Sequence, residues 1–190
     1  MSTGRKHASV IVNCEPEWLV RPLTNLIHHL SDNYNKPLAQ RLNRITTTAD
    51  QTRHAAADVL GRSDHGAGAF AVRLSSLVTT LRLVLEAHAW SEGDVLFPAA
   101  ISIEAQGRQS APFRRDALDI LMEGIAQEHD LIRELLASLA RTMEECVAAG
   151  LSADLEPFVA DLEVVCFLIA EQLDLEDRCL WPRMRELFEH

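Results

Sequence analysis

Apolar residues recur every three or four positions along most of the chain, the period of a helix buried along one face. Leu23, Ile27, Leu30, Tyr34, Leu38, Leu42 and Ile45 form one such series, and Phe70, Leu74, Leu77, Leu81 and Val84 a second. Ile125, Ile132, Leu136, Leu139 and Met143 form a third, and Leu155, Phe158, Leu162, Val165 and Ile169 a fourth. The intervals 61–68, 104–112 and 148–154 gather Gly, Pro and small polar residues and read as connections. Short connections make successive helices antiparallel neighbours, so the expected fold is all-α, an up-down-up-down four-helix bundle with its stripes facing one core. It is expected to occupy residues 17–188, behind an N-terminal arm of residues 1–16. Pro37 falls inside the first stripe and should kink that helix or end it a turn early.

The 190 residues are 47% hydrophobic and only 5% aromatic, enough apolar material for one packed domain built from a few long elements. A formal net charge of -10 leaves no basic surface for nucleic acid or anionic membrane, and neither is expected as a partner. No run of about 18 uninterrupted apolar residues marks a membrane span. The cysteines at 14, 146, 166 and 179 form no Cys-x-x-Cys pair, so neither a disulfide scaffold nor a thiolate zinc finger is expected. A cytoplasmic location suits that usage. Cys166, next to Val165 on the buried face, reads as a small core residue. A Gly-rich phosphate loop and a Gly-x-Ser-x-Gly elbow are both absent, which removes the usual footholds for nucleotide and nucleophilic chemistry.

Ionisable side chains that continue the buried stripes carry the chemistry. The second stripe extends through His88 and Glu92, which at a spacing of four project from one helix face about one turn apart. His129 lies between Ile125 and Ile132 on the third, and Gln172 and Glu176 continue the fourth. Such groups are costly to bury alone, so they should meet one another or a metal ion at one level of the bundle. Two arrangements satisfy this. His88, Glu92, His129 and Glu176 can ligate a metal, or the histidines can bridge the two carboxylates in a metal-free polar layer.

Leu96-Phe97-Pro98 follows His88 and Glu92, Glu128-His129 stands in the third helix, and Leu180-Trp181-Pro182-Arg183 follows Glu176. These words resemble those of the hemerythrin-like (HHE cation-binding) domains, closest to the iron-sulfur-cluster repair (RIC) type. The resemblance spans roughly residues 20–188. It implies a hemerythrin-like bundle in which His88 and His129 are terminal ligands and Glu92 and Glu176 bridge two irons. It further implies a role in oxygen, nitric oxide or iron-sulfur stress handling, with a diatomic molecule as the small ligand.

The chain departs from that pattern at the first-helix ligand position, which holds Asn35, and at the fourth-helix histidine, which is Gln172. Amides are poor neutral donors, so each half of a di-iron site loses a strong ligand. The expected centre is therefore reduced or degenerate, holding one or two Fe ions, with Zn, Mn or no metal as alternatives. His28 and His54 are the candidates to replace the missing ligands. The rival function is a metal-free helical bundle acting as a binding or regulatory module, and turnover as an enzyme is not expected. A ferritin-like oxidase fits less well, since no Glu-x-x-His occurs on any stripe. Trp181 is expected to pack at a helix end, and Trp90 to mark the surface or a homodimer contact.

Overall fold

The computed structural model describes residues 14–59, 65–107, 110, 114–149 and 156–189. Residues 8–12, Leu155 and the side chains of His7, His54, His65 and His190 lie outside that set. The described residues are helical, with no strand. The helices are α1 (Pro16–Val20), α2 (Leu23–Leu30), α3 (Lys36–Val59), α4 (His65–Trp90), α5 (Phe97–Gln106), α6 (Arg115–Ala148), α7 (Glu156–Leu175) and α8 (Trp181–Glu189). Three π-helical turns, π1 (Ser31–Asn35), π2 (Ser91–Leu96) and π3 (Glu176–Leu180), join α2 to α3, α4 to α5 and α7 to α8 without a break. Residues 65–68 and 104–106, expected in connections, extend the helices beside them.

Proline explains the π turns. Its ring lacks an N–H and crowds the carbonyl four residues back. Pro37, Pro98 and Pro182 each stand two residues past a π turn. The residue before each one donates five residues back instead: Lys36 to Ser31, Phe97 to Glu92 and Trp181 to Glu176. The widened turn lets the helix run on, so Pro37 does not end the first helix early and Pro182 does not stop the last.

Helix α3 packs beside α4 and α7, and α4 and α7 both pack against α6, while α2 and α8 pack on α5. The buried edge of α4 runs through Ala71, Leu74, Val78, Leu81 and His88, with Phe70, Leu77 and Val84 half-buried on its flank. The stretch Gly68–Gln106 is long and apolar enough to cross a membrane by those two criteria alone. Yet its inner edge carries buried His88 and Glu92 against other helices. Apolar residues form two clusters. One unites Leu26, Leu30, Leu96, Met122, Ile125, Leu180 and Met184, and the other Leu42, Ile45, Leu81, Ile132, Leu139, Leu162 and Ile169. Along α4, α6 and α7 with the turns that follow them, the switch from one cluster to the other falls at His88 and Glu92, at His129, and beside Glu176.

A disulfide joins Cys14 to Cys179, with Cα atoms 5.0 Å apart and a sequence separation of 165. The sequence points to no disulfide scaffold and gives no sign of this single pair, because so remote a pairing leaves no spacing signal. Closing a loop that long removes roughly 5 kcal/mol of unfolded-state entropy in the chain-entropy account.

The start of α2 is capped from another helix. Glu104 of α5 accepts bonds from the Leu23 N–H (2.5 Å), the Thr24 N–H (2.9 Å) and the Thr24 hydroxyl (2.7 Å). Partial burial opposes the charge on Glu104, but these bonds and nearby Arg183 outweigh it and hold the carboxyl below its ordinary value of 4.5. The charge therefore stabilises the fold fully above that value, and its contribution fades as pH falls through the folded pKa. Thermal melts check this: Glu104→Gln is expected to melt ~2–4 °C below the wild type at neutral pH, the gap closing as pH falls below the ordinary carboxyl value.

Candidate metal centre

Four elements deliver one ionisable side chain each to the level between the two apolar clusters. His88 comes from the last turn of α4, Glu92 from π2, His129 from the middle of α6 and Glu176 from the first position of π3. All four are buried, His88 and His129 at 1% exposure and the two glutamates at 0%. The residues that the sequence singles out as ligands therefore share one place.

One ligand atom from each of the four lies within 4.8 Å of every other. His88 Nε2 is 3.4 Å from Glu92 Oε1 and 3.7 Å from Glu176 Oε2, and His129 Nε2 is 3.2 Å from Glu176 Oε2. These contacts lack hydrogen-bond geometry. His88 Nε2, His129 Nε2, both Glu92 oxygens and Glu176 Oε2 are buried without a hydrogen-bond partner. Five orphaned atoms in one spot is an arrangement that folded proteins avoid unless something else satisfies them. A tetrahedral ion bonded at about 2.0–2.2 Å would hold its donors roughly 3.3–3.6 Å apart, close to these three imidazole–carboxylate separations. Two imidazole nitrogens and two carboxylates fit one Zn, Fe or Mn ion by donor type.

The outward ring nitrogens support this reading. Glu128 Oε2 lies 3.1 Å from His88 Nδ1, and Asp177 Oδ1 lies 2.9 Å from His129 Nδ1. Each carboxylate accepts an N–H from its imidazole, which leaves Nε2 facing the cluster. The supports cross between helices: Glu128 of α6 orients His88 of α4, and Asp177 of π3 orients His129 of α6. Arg133 pairs closely with Asp177 and fixes it in turn. Sequence inspection missed Glu128 and Asp177. Their signal is adjacency, since each directly neighbours an inward residue and so lies about 100° round the helix, toward the next one.

The four groups polarise one another. Burial disfavours a charged His88, yet Glu92, Glu128 and Glu176 outweigh it and push its pKa up to about 11. Burial and the charge of Glu176 push the Glu92 carboxyl up to about 8. Burial works the same way on Glu176, but the imidazoles of His129 and His88 beside it keep its carboxyl below the ordinary value.

Asn35 and Gln172 also meet here. Gln172 Nε2 donates to Asn35 Oδ1 at 2.6 Å and to Glu176 Oε1 at 2.7 Å. Beside them a cavity of about 80 Å³ is lined by Leu38, Leu42 and Leu85 and reaches His88, Asn35 and Gln172. Of the two proposed substitute ligands, His28 is exposed on α2 and does not join the cluster, and the side chain of His54 lies outside the described residues. Trp181 packs at 7% exposure with its ring 6.0 Å from that of His129, and Trp90 is 62% exposed. Cys166 is free and half-buried, and burial raises its thiol to about 11.

No family model, curated protein or solved structure matches the chain. The case for the site therefore rests on its geometry. Glu128→Gln and Asp177→Asn are each expected to weaken Zn(II) binding by about 10–100-fold while leaving far-UV circular dichroism unchanged, as a competition titration against a chelator would show.

Proposed function

We propose that the protein is a hemerythrin-like four-helix bundle whose waist binds a single first-row divalent metal ion through His88, Glu92, His129 and Glu176. The observation that carries this reading is the convergence of five buried, unpartnered donor atoms within one small volume. Iron is the ion most in keeping with the resemblance, with Zn and Mn compatible with the same donors. Gln172 occupies one oxygen of Glu176. That leaves Glu176 one free oxygen and favours one ion over two.

A bound iron supplies one-electron redox chemistry, and a zinc Lewis acidity. The chain's own residues do the rest. Glu128 and Asp177 hold the imidazoles in the tautomer that presents Nε2, and the apolar clusters on either side exclude water from the donors. The small apolar cavity ending at His88 suits a ligand of a few atoms, in keeping with oxygen or nitric oxide. Handling of such molecules under oxidative or nitrosative stress is the role we assign.

One observation favours the metal-free alternative, the Gln172 bond to Glu176, which satisfies part of the polar layer with an amide. It leaves both Glu92 oxygens without a partner, so it accounts for less of the cluster. Elemental analysis of anaerobically purified protein separates the two readings. The wild type is expected to carry about one ion per chain, and His88→Ala and His129→Ala to lose it, with a lowered melting temperature on chelation only in the wild type. Equal metal content in all three would overturn the four-ligand site, and a wild type that carries no metal and melts indifferently to chelator would favour the metal-free bundle.

A further inference from the structure

Outside the metal cluster, the Cys14–Cys179 pair is the chemical group most directly joined to it. Cys179 lies within π3, three residues after Glu176 and two after Asp177. A sulfur, a ligand carboxylate and the carboxylate that orients His129 thus share little more than one turn of helix. The other sulfur begins the segment that carries α1. That segment has anchors of its own: Trp18 is buried with its ring 4.7 Å from that of His29. Arg183 also donates to the carbonyls of Trp18 (2.5 Å) and Arg21 (2.7 Å). The disulfide is therefore one of several bonds that place α1. What it adds is a covalent hold, from outside, on the irregular turn that presents Glu176.

We propose that Cys14 and Cys179 form a reversible thiol–disulfide switch on the metal centre. As a disulfide the pair pins π3, and with it Glu176 and Asp177; as two thiols it frees the turn, so the ion leaves faster. This rests on the reading of the cluster as a metal site. The reductant is a small thiol. Its thiolate attacks one cysteine sulfur, the protein S–S bond breaks and a mixed disulfide forms, from which a second small thiol expels the remaining cysteine. The products are two cysteine thiols and one small disulfide, and the reverse reaction uses that small disulfide as oxidant. The bonds of Trp18 and Arg183 keep the two thiols adjacent after reduction, which makes re-closure intramolecular.

The test loads the protein with Zn(II) and follows its transfer to an excess of a chromogenic chelator. Rates are compared for the disulfide form, the form reduced with a phosphine, and Cys14→Ser with and without reductant. The reduced form and Cys14→Ser are expected to release Zn(II) about tenfold faster than the disulfide form, with reductant making no difference to Cys14→Ser. Glu104→Gln, which loosens the fold away from the disulfide, should release as slowly as the wild type. Fast release from that variant would mark the effect as general destabilisation and overturn the switch. Equal rates for the disulfide and reduced forms would overturn the switch and leave the metal site standing. A chain that takes up no Zn(II) in either form would overturn the metal reading, and the switch with it.

Discussion

Burial of His88, Glu92, His129 and Glu176 at one level is the constraint on which the rest of the structure depends. Moving an ionised group out of water costs several kcal/mol even after relaxation, so four together are tolerable only if they neutralise one another or share a cation. Their surroundings are arranged around that demand. The apolar core is divided into two clusters that meet at this waist. The ring nitrogens pointing away from the waist are tied to Glu128 and Asp177, and one oxygen of Glu176 is tied to Gln172. The atoms left unpaired point inward.

The backbone is adapted at the same level. Three of the four long helical runs pass the waist through a π turn, and each turn is followed by a proline. A π turn inserts an extra residue and rotates the next stretch of helix by about a quarter turn, which re-aims side chains without ending the helix. Glu92 and Glu176 lie within such turns, and their own carbonyls accept the five-residue bonds that widen them. Proline chemistry and ligand placement are thus two aspects of one local distortion. Helix α6, which supplies His129, runs through the waist as regular helix.

Much of this was legible in the sequence. The apolar period located the helical runs, and the ionisable residues interrupting it located the cluster, because a stripe reports which side chains face inward whatever their polarity. The α4 stripe was displaced by part of a turn: Phe70, Leu77 and Val84 lie on the flank of an edge running through Ala71, Leu74 and Val78. Small residues such as Ala71 carry too weak a hydrophobic signal to mark an edge. The π turns were invisible because periodicity treats every turn alike, so Pro37 read as a breaker. Glu128 and Asp177 look like ordinary solvated carboxylates until neighbouring helices are placed. Cys14 and Cys179, separated by 165 residues, carried no local pattern at all. Asn35 and Gln172 stood out only against the family resemblance, and the structure brings them into contact with each other and with Glu176.

The most direct test of the account is X-ray diffraction from crystals of protein loaded with one equivalent of Zn(II), with data collected on both sides of the zinc absorption edge. The account predicts one anomalous peak per chain, within bonding distance of His88 Nε2, His129 Nε2 and carboxylate oxygens of Glu92 and Glu176, with Glu128 and Asp177 still on the outer ring nitrogens. An empty waist with zinc scattered on surface carboxylates, or a peak that lacks either imidazole, would contradict it.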